Sequence, residues 1–136
     1  MKAINQFLFG VCYYPEQWGE KYLEEDLKRI KEANMNVVRL GEFAWAKYEP
    51  EEGKFDFSFL KRAIEKSAEY DLKVVLGTPT ATPPAWLTKK HPEVLRETFD
   101  GQTMHHGSRQ QANHSSDVYR KYSKRIVRKM AEAIKD

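Results

Sequence analysis

The sequence predicts an α/β protein of about three strand–helix units, the N-terminal portion of a (β/α)8 TIM barrel. Three observations lead there. Short apolar runs alternate with amphipathic segments at a spacing near thirty residues, which implies parallel strands joined by helical crossovers. The connections after the strands are long, aromatic and acidic, while those before them, such as Asn34-Met35 and Asp71-Leu72, are minimal. A barrel keeps its functional loops on one face and economises on the other. The rival architecture, an open doubly wound sheet, marks its first turn with phosphate-cradling glycines. Here the first strand runs instead into Tyr13-Tyr14-Pro15-Glu16-Gln17-Trp18.

Phe7 to Tyr13 is rich in aromatic and β-branched residues and stops at the turn signal Pro15, so it reads as a strand buried on both faces. Glu20 to Ala33 places Leu23, Leu27 and Ile30 on one helical stripe with charges between them. Asn36 to Leu40 is the second strand. Asp56 is the expected N-cap of a second helix with Leu60, Ala63, Ile64, Ser67 and Ala68 on its inner face. Lys73 to Gly77 is the third strand. Thr78 to Ser115, dense in Pro, Thr, Gly and His, reads as irregular. Asp117 to Lys135 then carries Val118, Tyr122, Ile126, Met130 and Ile134 at helical steps of four.

Length and composition narrow the function classes. A chain of 136 residues holds one domain, yet a closed barrel takes at least roughly 200 residues. Residues 1–136 therefore read as the N-terminal segment of a barrel domain, cut before its fourth strand. Net charge is +3, with acidic residues interspersed among the basic ones, which argues against a nucleic-acid partner. The densest basic stretch, Arg120 to Lys129, reads as a solvated helix face. A single cysteine, Cys12, excludes an intrachain disulfide and reads as a small buried hydrophobe. There is neither a signal-peptide pattern at the N-terminus nor a membrane-length apolar run, so the expected location is cytoplasmic.

The loops after the three strands share one composition. The first offers Tyr13, Tyr14, Glu16 and Trp18; the second Glu42, Phe43, Trp45, Glu49 and Pro50; the third Thr78, Thr80, Pro83 and Trp86. Indole faces suit the C–H faces of a pyranose, and carboxylates and hydroxyls suit its hydroxyl groups. The alternative for Trp45 and Trp86 is that they pack the loops over the barrel rim.

Trp45 to Phe57 follows the spacing W-x-x-x-E-P-x-x-G-x-F-D-F, an element of several barrel glycosidase families, with Glu49-Pro50 and Gly53 turning the loop back over the rim. Together with Gly10–Trp18, Arg39–Trp45 and Gly77–Trp86, it resembles glycoside hydrolase family 42, the bacterial and archaeal β-galactosidases. The resemblance implies retaining hydrolysis of terminal non-reducing β-D-galactosides in carbohydrate metabolism, without a cofactor. It places the two catalytic glutamates after the fourth and seventh strands, so no catalytic residue is expected in this chain and the isolated chain should be inactive. Glu42, on the second strand, is expected to contact a sugar hydroxyl or hydrogen-bond the rim. Gly107-Ser108-Arg109 is similar to the family's G-x-R segment, whose arginine donates to sugar hydroxyls. Substrate-binding roles thus fall on Arg109, Glu42 and Trp45, with Arg39 expected as a buried ion-pair partner.

One departure concerns metal. Many members carry a zinc-ligand Cys shortly after that arginine, and here Asn113 stands in its place. His105, His106 and His114 lack a zinc-like spacing, so no metal is expected. Family members are often trimers, which implies a homotrimer. A reading from another class is a non-catalytic sugar-binding or scaffold module that uses the aromatic rim alone.

Overall fold

The computed structural model describes residues 5–107 and 111–135. Its chain divides into two compact units, one formed by residues up to Leu40 with Leu60–Gly77, the other by Gly41–Phe59 with the residues from Thr78 onward.

The first unit holds a three-stranded parallel sheet in the order β1 (Gly10–Cys12), β2 (Val37–Leu40), β3 (Lys73–Leu76). Val38 pairs with Val11 on one side and Val74 on the other. Between β1 and β2 the chain makes a single turn of helix, α1 (Pro15–Trp18), a 3-10 turn and then α2 (Leu23–Glu32). The Leu23, Leu27, Ile30 stripe packs with Tyr13, Val38, Leu40, Ala63 and Leu72 to form the core of this unit. Tyr13 is fixed there by its hydroxyl, which donates to Asp26 Oδ2 at 2.9 Å. Burial and the neighbouring carboxylate both push its ionisation well above the ordinary tyrosine range. α4 (Ser58–Glu69) begins where Asp56 Oδ1 accepts the Ser58 N–H at 2.9 Å, and buries Leu60, Ala63 and Ser67 on its expected inner face.

β1 corrects the sequence reading. It is three residues long, shorter than the Phe7–Tyr13 run, and among the described residues it is the end strand and pairs with β2 alone, which leaves it exposed in this portion of the barrel. Cys12 is accordingly exposed, with Arg39 Nη1 3.9 Å from its Sγ. Gly10 has a steric reason: a Cβ there would lie 1.7 Å from the Val37 carbonyl oxygen.

In the second unit, the loop after β2 contains the one-turn α3 (Trp45–Tyr48). The stretch from Thr78 to Ser115, expected to be irregular, holds regular structure among its described residues. It holds α5 (Ala85–Lys90), two 3-10 turns, and antiparallel bridges Glu97↔Thr103 and Leu95↔Ala112. α5 starts directly after Pro83-Pro84, whose extended conformation cannot continue a helix backward. The bridged hairpin turns at Asp100-Gly101, a dipeptide with known hairpin preference. The chain closes with α6 (Asp117–Ala133), capped by Ser116, whose side chain accepts the Tyr119 N–H. Tyr122, Ile126 and Met130 of its predicted stripe are buried. Among the described residues no helix is long and apolar enough to cross a membrane.

Candidate functional site

The connections that leave the C-terminal ends of β2 and β3 both lie in the second unit. Their framework is built on one buried carboxylate. Glu49 follows α3 by one residue and is 0 % exposed. Its Oε2 accepts the indole N–H of Trp45 at 3.1 Å, one helical turn back. Its Oε1 accepts the Gly53 N–H at 2.8 Å and also pairs with the Arg125 guanidinium of α6. The Glu49 carbonyl accepts the indole N–H of Trp86 at 2.8 Å. Gly53 sits at φ +80, a left-handed conformation that lets the loop double back to present its amide to Glu49.

A second carboxylate extends this network. Glu52 accepts the Tyr122 hydroxyl at 2.5 Å and pairs with Lys90 of α5. Those bonds hold its ionisation below the usual carboxylate range, with Lys90 the largest cause. The Arg125 guanidinium lies over the ring of Tyr122, 4.5 Å from its centroid, and near Trp86 and Phe55. The W-x-x-x-E-P-x-x-G-x-F-D-F element is thus a fastening in which loop, α5 and α6 meet at Glu49 and Glu52.

This geometry assigns the chemistry of Glu49 by exclusion. A general acid, base or nucleophile must reach the reacting atom. A carboxylate with no exposure and donors on both oxygens does not. Its charge is compensated by Arg125, and its work is to fix the shape of the rim.

The sequence-predicted site residues fall in different places. Glu42 lies in the turn after β2, half-buried, directly beyond Gly41 at φ +90. Trp45 is corrected: at 0 % exposure with its N–H on Glu49, its ring has no free face for a sugar, because it packs the interior of its own loop. Arg109 lies outside the described residues. Trp18 is exposed. Trp86, which the sequence left open between packing and binding, is half-buried against Tyr122.

The histidines serve local structure. His106 Nε2 hydrogen-bonds Thr88 Oγ1 at 2.6 Å, and Thr88 Oγ1 also lies 3.2 Å from the Ala85 carbonyl at the start of α5. His114 stands edge-on to Tyr119 with centroids 5.3 Å apart. Sequence reasoning missed Arg125 and Glu52. The i, i+4 spacing of Trp45 and Glu49 and the i, i+3 spacing of Tyr122 and Arg125 were the available signals. Arg125 was read as part of a solvated basic face. Its neighbours Arg120, Lys121, Lys124, Arg128 and Lys129 are indeed exposed, while Arg125 turns inward to Glu49.

Comparison with known proteins converges on one family. The sequence model of glycoside hydrolase family 42, described as beta-galactosidase, matches residues 12–136. A beta-galactosidase of Thermus thermophilus is 48 % identical over 125 residues, 92 % of this chain and 19 % of that protein. The beta-galactosidase YesZ of Bacillus licheniformis is 43 % identical over 125 residues, again 92 % of this chain and 19 % of the relative. A solved structure of a polyextremophilic beta-galactosidase from Halorubrum lacusprofundi superposes with a TM-score of 0.88 at 42 % identity, covering 96 % of this chain and 20 % of that one. A beta-galactosidase from the psychrophilic Marinomonas ef1 gives 0.87 at 38 % identity, over 94 % and 20 %. The chain therefore spans about a fifth of the length of the relatives it matches. Its parallel sheet and helices are the N-terminal portion of a (β/α)8 barrel. By sequence and by fold, the chain belongs to the beta-galactosidases of glycoside hydrolase family 42.

Proposed function

We propose that residues 1–136 form the first three strand–helix units and part of the galactose-binding rim of a retaining β-galactosidase. The observation that carries this reading is the unbroken match of the family over residues 12–136. In the complete protein, two glutamates from later strands would flank the glycosidic bond about 5–5.5 Å apart, one as acid/base and one as nucleophile. This chain supplies recognition. The Arg109 guanidinium, a planar fork of donors, suits two vicinal sugar oxygens, and the Glu42 carboxylate accepts from a sugar hydroxyl. Trp45 acts from beneath, by holding Glu49 and the loop around it. The reading extends to a cytoplasmic homotrimer, supported by the family resemblance and by a sequence with one cysteine.

The test is release of nitrophenol from a nitrophenyl β-galactoside by the complete protein. Turnover is expected there and none from the isolated 136-residue chain; hydrolysis by the isolated chain would overturn the placing of the glutamates elsewhere. Arg109→Ala in the complete protein should lower kcat/KM about tenfold or more, the worth of a charge-assisted hydrogen bond, with an unchanged melting curve. An unaltered kcat/KM would return Arg109 to a structural role.

A further inference from the structure

Tyr119 joins the two connections of the second unit at a point apart from Glu49. It lies in the first turn of α6 and is 3 % exposed. Its hydroxyl donates to the Thr80 carbonyl at 2.6 Å, across 39 residues of sequence. Its ring packs beside the Trp45 indole in the loop after β2, with centroids 6.4 Å apart, and His114 stands edge-on to it. One side chain thus holds a carbonyl from the β3 connection and backs a ring from the β2 connection, and all of these contacts are internal to the second unit.

Thr80 belongs to a single 3-10 turn, Pro79–Ala81, soon after β3. Three residues of 3-10 helix carry too few bonds of their own to fix a shape, and this turn has no side-chain cap at Thr78, its N-terminal flank. The Thr80 carbonyl is where α6 takes hold of it, through a bond at the short end of the usual O–H···O range. Two residues on, Thr82 Oγ1 donates to the Phe43 carbonyl at 3.3 Å. Phe43 follows Glu42 inside the turn that the Ala44 N–H closes on the Gly41 carbonyl at 3.3 Å. The Ala44 carbonyl then starts α3 by accepting from the Lys47 and Tyr48 amides, and the next residue is the buried Trp45. The Glu42 turn is therefore held on one side through Thr82 and on the other through Trp45. Both holds run to Tyr119.

A phenylalanine would bury as much ring; what the hydroxyl adds is a bond to a different connection. We propose that Tyr119 is a positioning residue for substrate recognition. By gripping the Thr80 carbonyl and backing Trp45, it fixes where the Glu42 turn sits, and it acts only through Glu42. The proposal rests on the reading of Glu42 as a contact to a sugar hydroxyl.

The experiment is a double-mutant cycle of Tyr119→Phe and Glu42→Gln in the complete protein, read as kcat/KM on a nitrophenyl β-galactoside below the melting temperature of every variant. Tyr119→Phe removes one hydroxyl and keeps the ring. It should lower kcat/KM about fivefold, the worth of one net hydrogen bond. In the Glu42→Gln background the same change should move it by less than about twofold. A purely structural tyrosine would lower the melting temperature and leave kcat/KM alone, or would cost the same in both backgrounds. Either result overturns the proposal, as does a silent Glu42→Gln. Thr82→Val lifts the hold at its other end and should give the same pattern without relying on the Tyr119 variant; a Thr82→Val that acts like the wild type overturns the proposal as well. Hydrogen exchange at the Ala44 amide reads the hold without turnover: it should quicken about fivefold in Tyr119→Phe, and wild-type protection there overturns the positioning. Turnover by the wild type reports separately on the galactosidase reading. A wild type that hydrolyses nothing, but whose Ala44 exchange answers to Tyr119, sinks the activity and upholds the hold on the Glu42 turn.

Discussion

Replacing Glu49 by glutamine tests whether the rim is fastened as described. The substitution keeps the shape of the side chain and removes its charge. One carboxylate oxygen becomes an NH2 group, so a donor must face either the Trp45 indole N–H or the Gly53 amide, both of which donate to Glu49. Arg125 loses the carboxylate it pairs with, while its own Nε is already buried without an acceptor among the described residues. Removing one partner of a buried ion pair typically costs about 3–5 kcal/mol. The Arg125 side chain keeps 32 % of its exposure, so water relieves part of its charge, and we expect about 3 kcal/mol for Glu49→Gln. Arg125→Met should cost more, about 4–5 kcal/mol, because it strands the partner that has no exposure at all. Urea unfolding read by tryptophan emission suits the question, since the indole N–H groups of Trp45 and Trp86 both bond to Glu49. If Glu49→Gln unfolds within about 0.5 kcal/mol of the wild type, as an ordinary surface substitution does, the network is ornamental and the reasoning fails.

Two further outcomes follow from the structure. Glu52 ionises below the usual carboxylate range in the folded chain, held there by Lys90 and Tyr122, so its contribution to stability is present above the unfolded-chain pKa and lost as pH falls through the folded pKa. Thermal melting of Glu52→Gln should therefore lie below the wild type at pH 7 and converge with it in acid; a gap that persists unchanged in acid would contradict the assignment. Gly10→Ala should detach β1, because the added Cβ meets the Val37 backbone oxygen and no side-chain motion relieves that contact. Hydrogen exchange would show it as loss of protection at the Tyr13 amide, which donates to the Arg39 carbonyl; wild-type protection would mean that β2 yields instead.

The parallel sheet and the long helices were legible because their residues obey one period each. Val37–Leu40 and Lys73–Leu76 are continuous apolar-rich runs between helices, and α6 announces itself by a serine cap and a stripe at steps of four. β1 was read too long, since aromatic and β-branched residues signal a strand but not where its pairing stops. The order in the β3–α6 connection was hidden by its prolines and glycines, which mark turns without saying that the segments between them pair. Trp45 shows the limit most sharply. A buried indole satisfied by a glutamate and an indole offered to a sugar draw on the same residue, and only the position of Glu49 one turn on separates them. Arg125 was illegible for the opposite reason: surrounded in sequence by solvated lysines and arginines, it faces a carboxylate contributed from a different loop.

The partners that meet at Glu49 are 76 residues apart in sequence. On a ribosome adding about 5–20 residues per second, that interval lasts about 4–15 s. Throughout it, a nascent chain holds Trp45 and Glu49 without the helix that closes over them. The loop after β2 thus has to wait, wet and uncommitted, until Arg125 emerges. A product that ends before that arginine is expected to expose this loop to proteases, while one that includes it has the means to shut the loop. Quality control in the cell therefore has a natural checkpoint at α6, set by the order in which the chain is made.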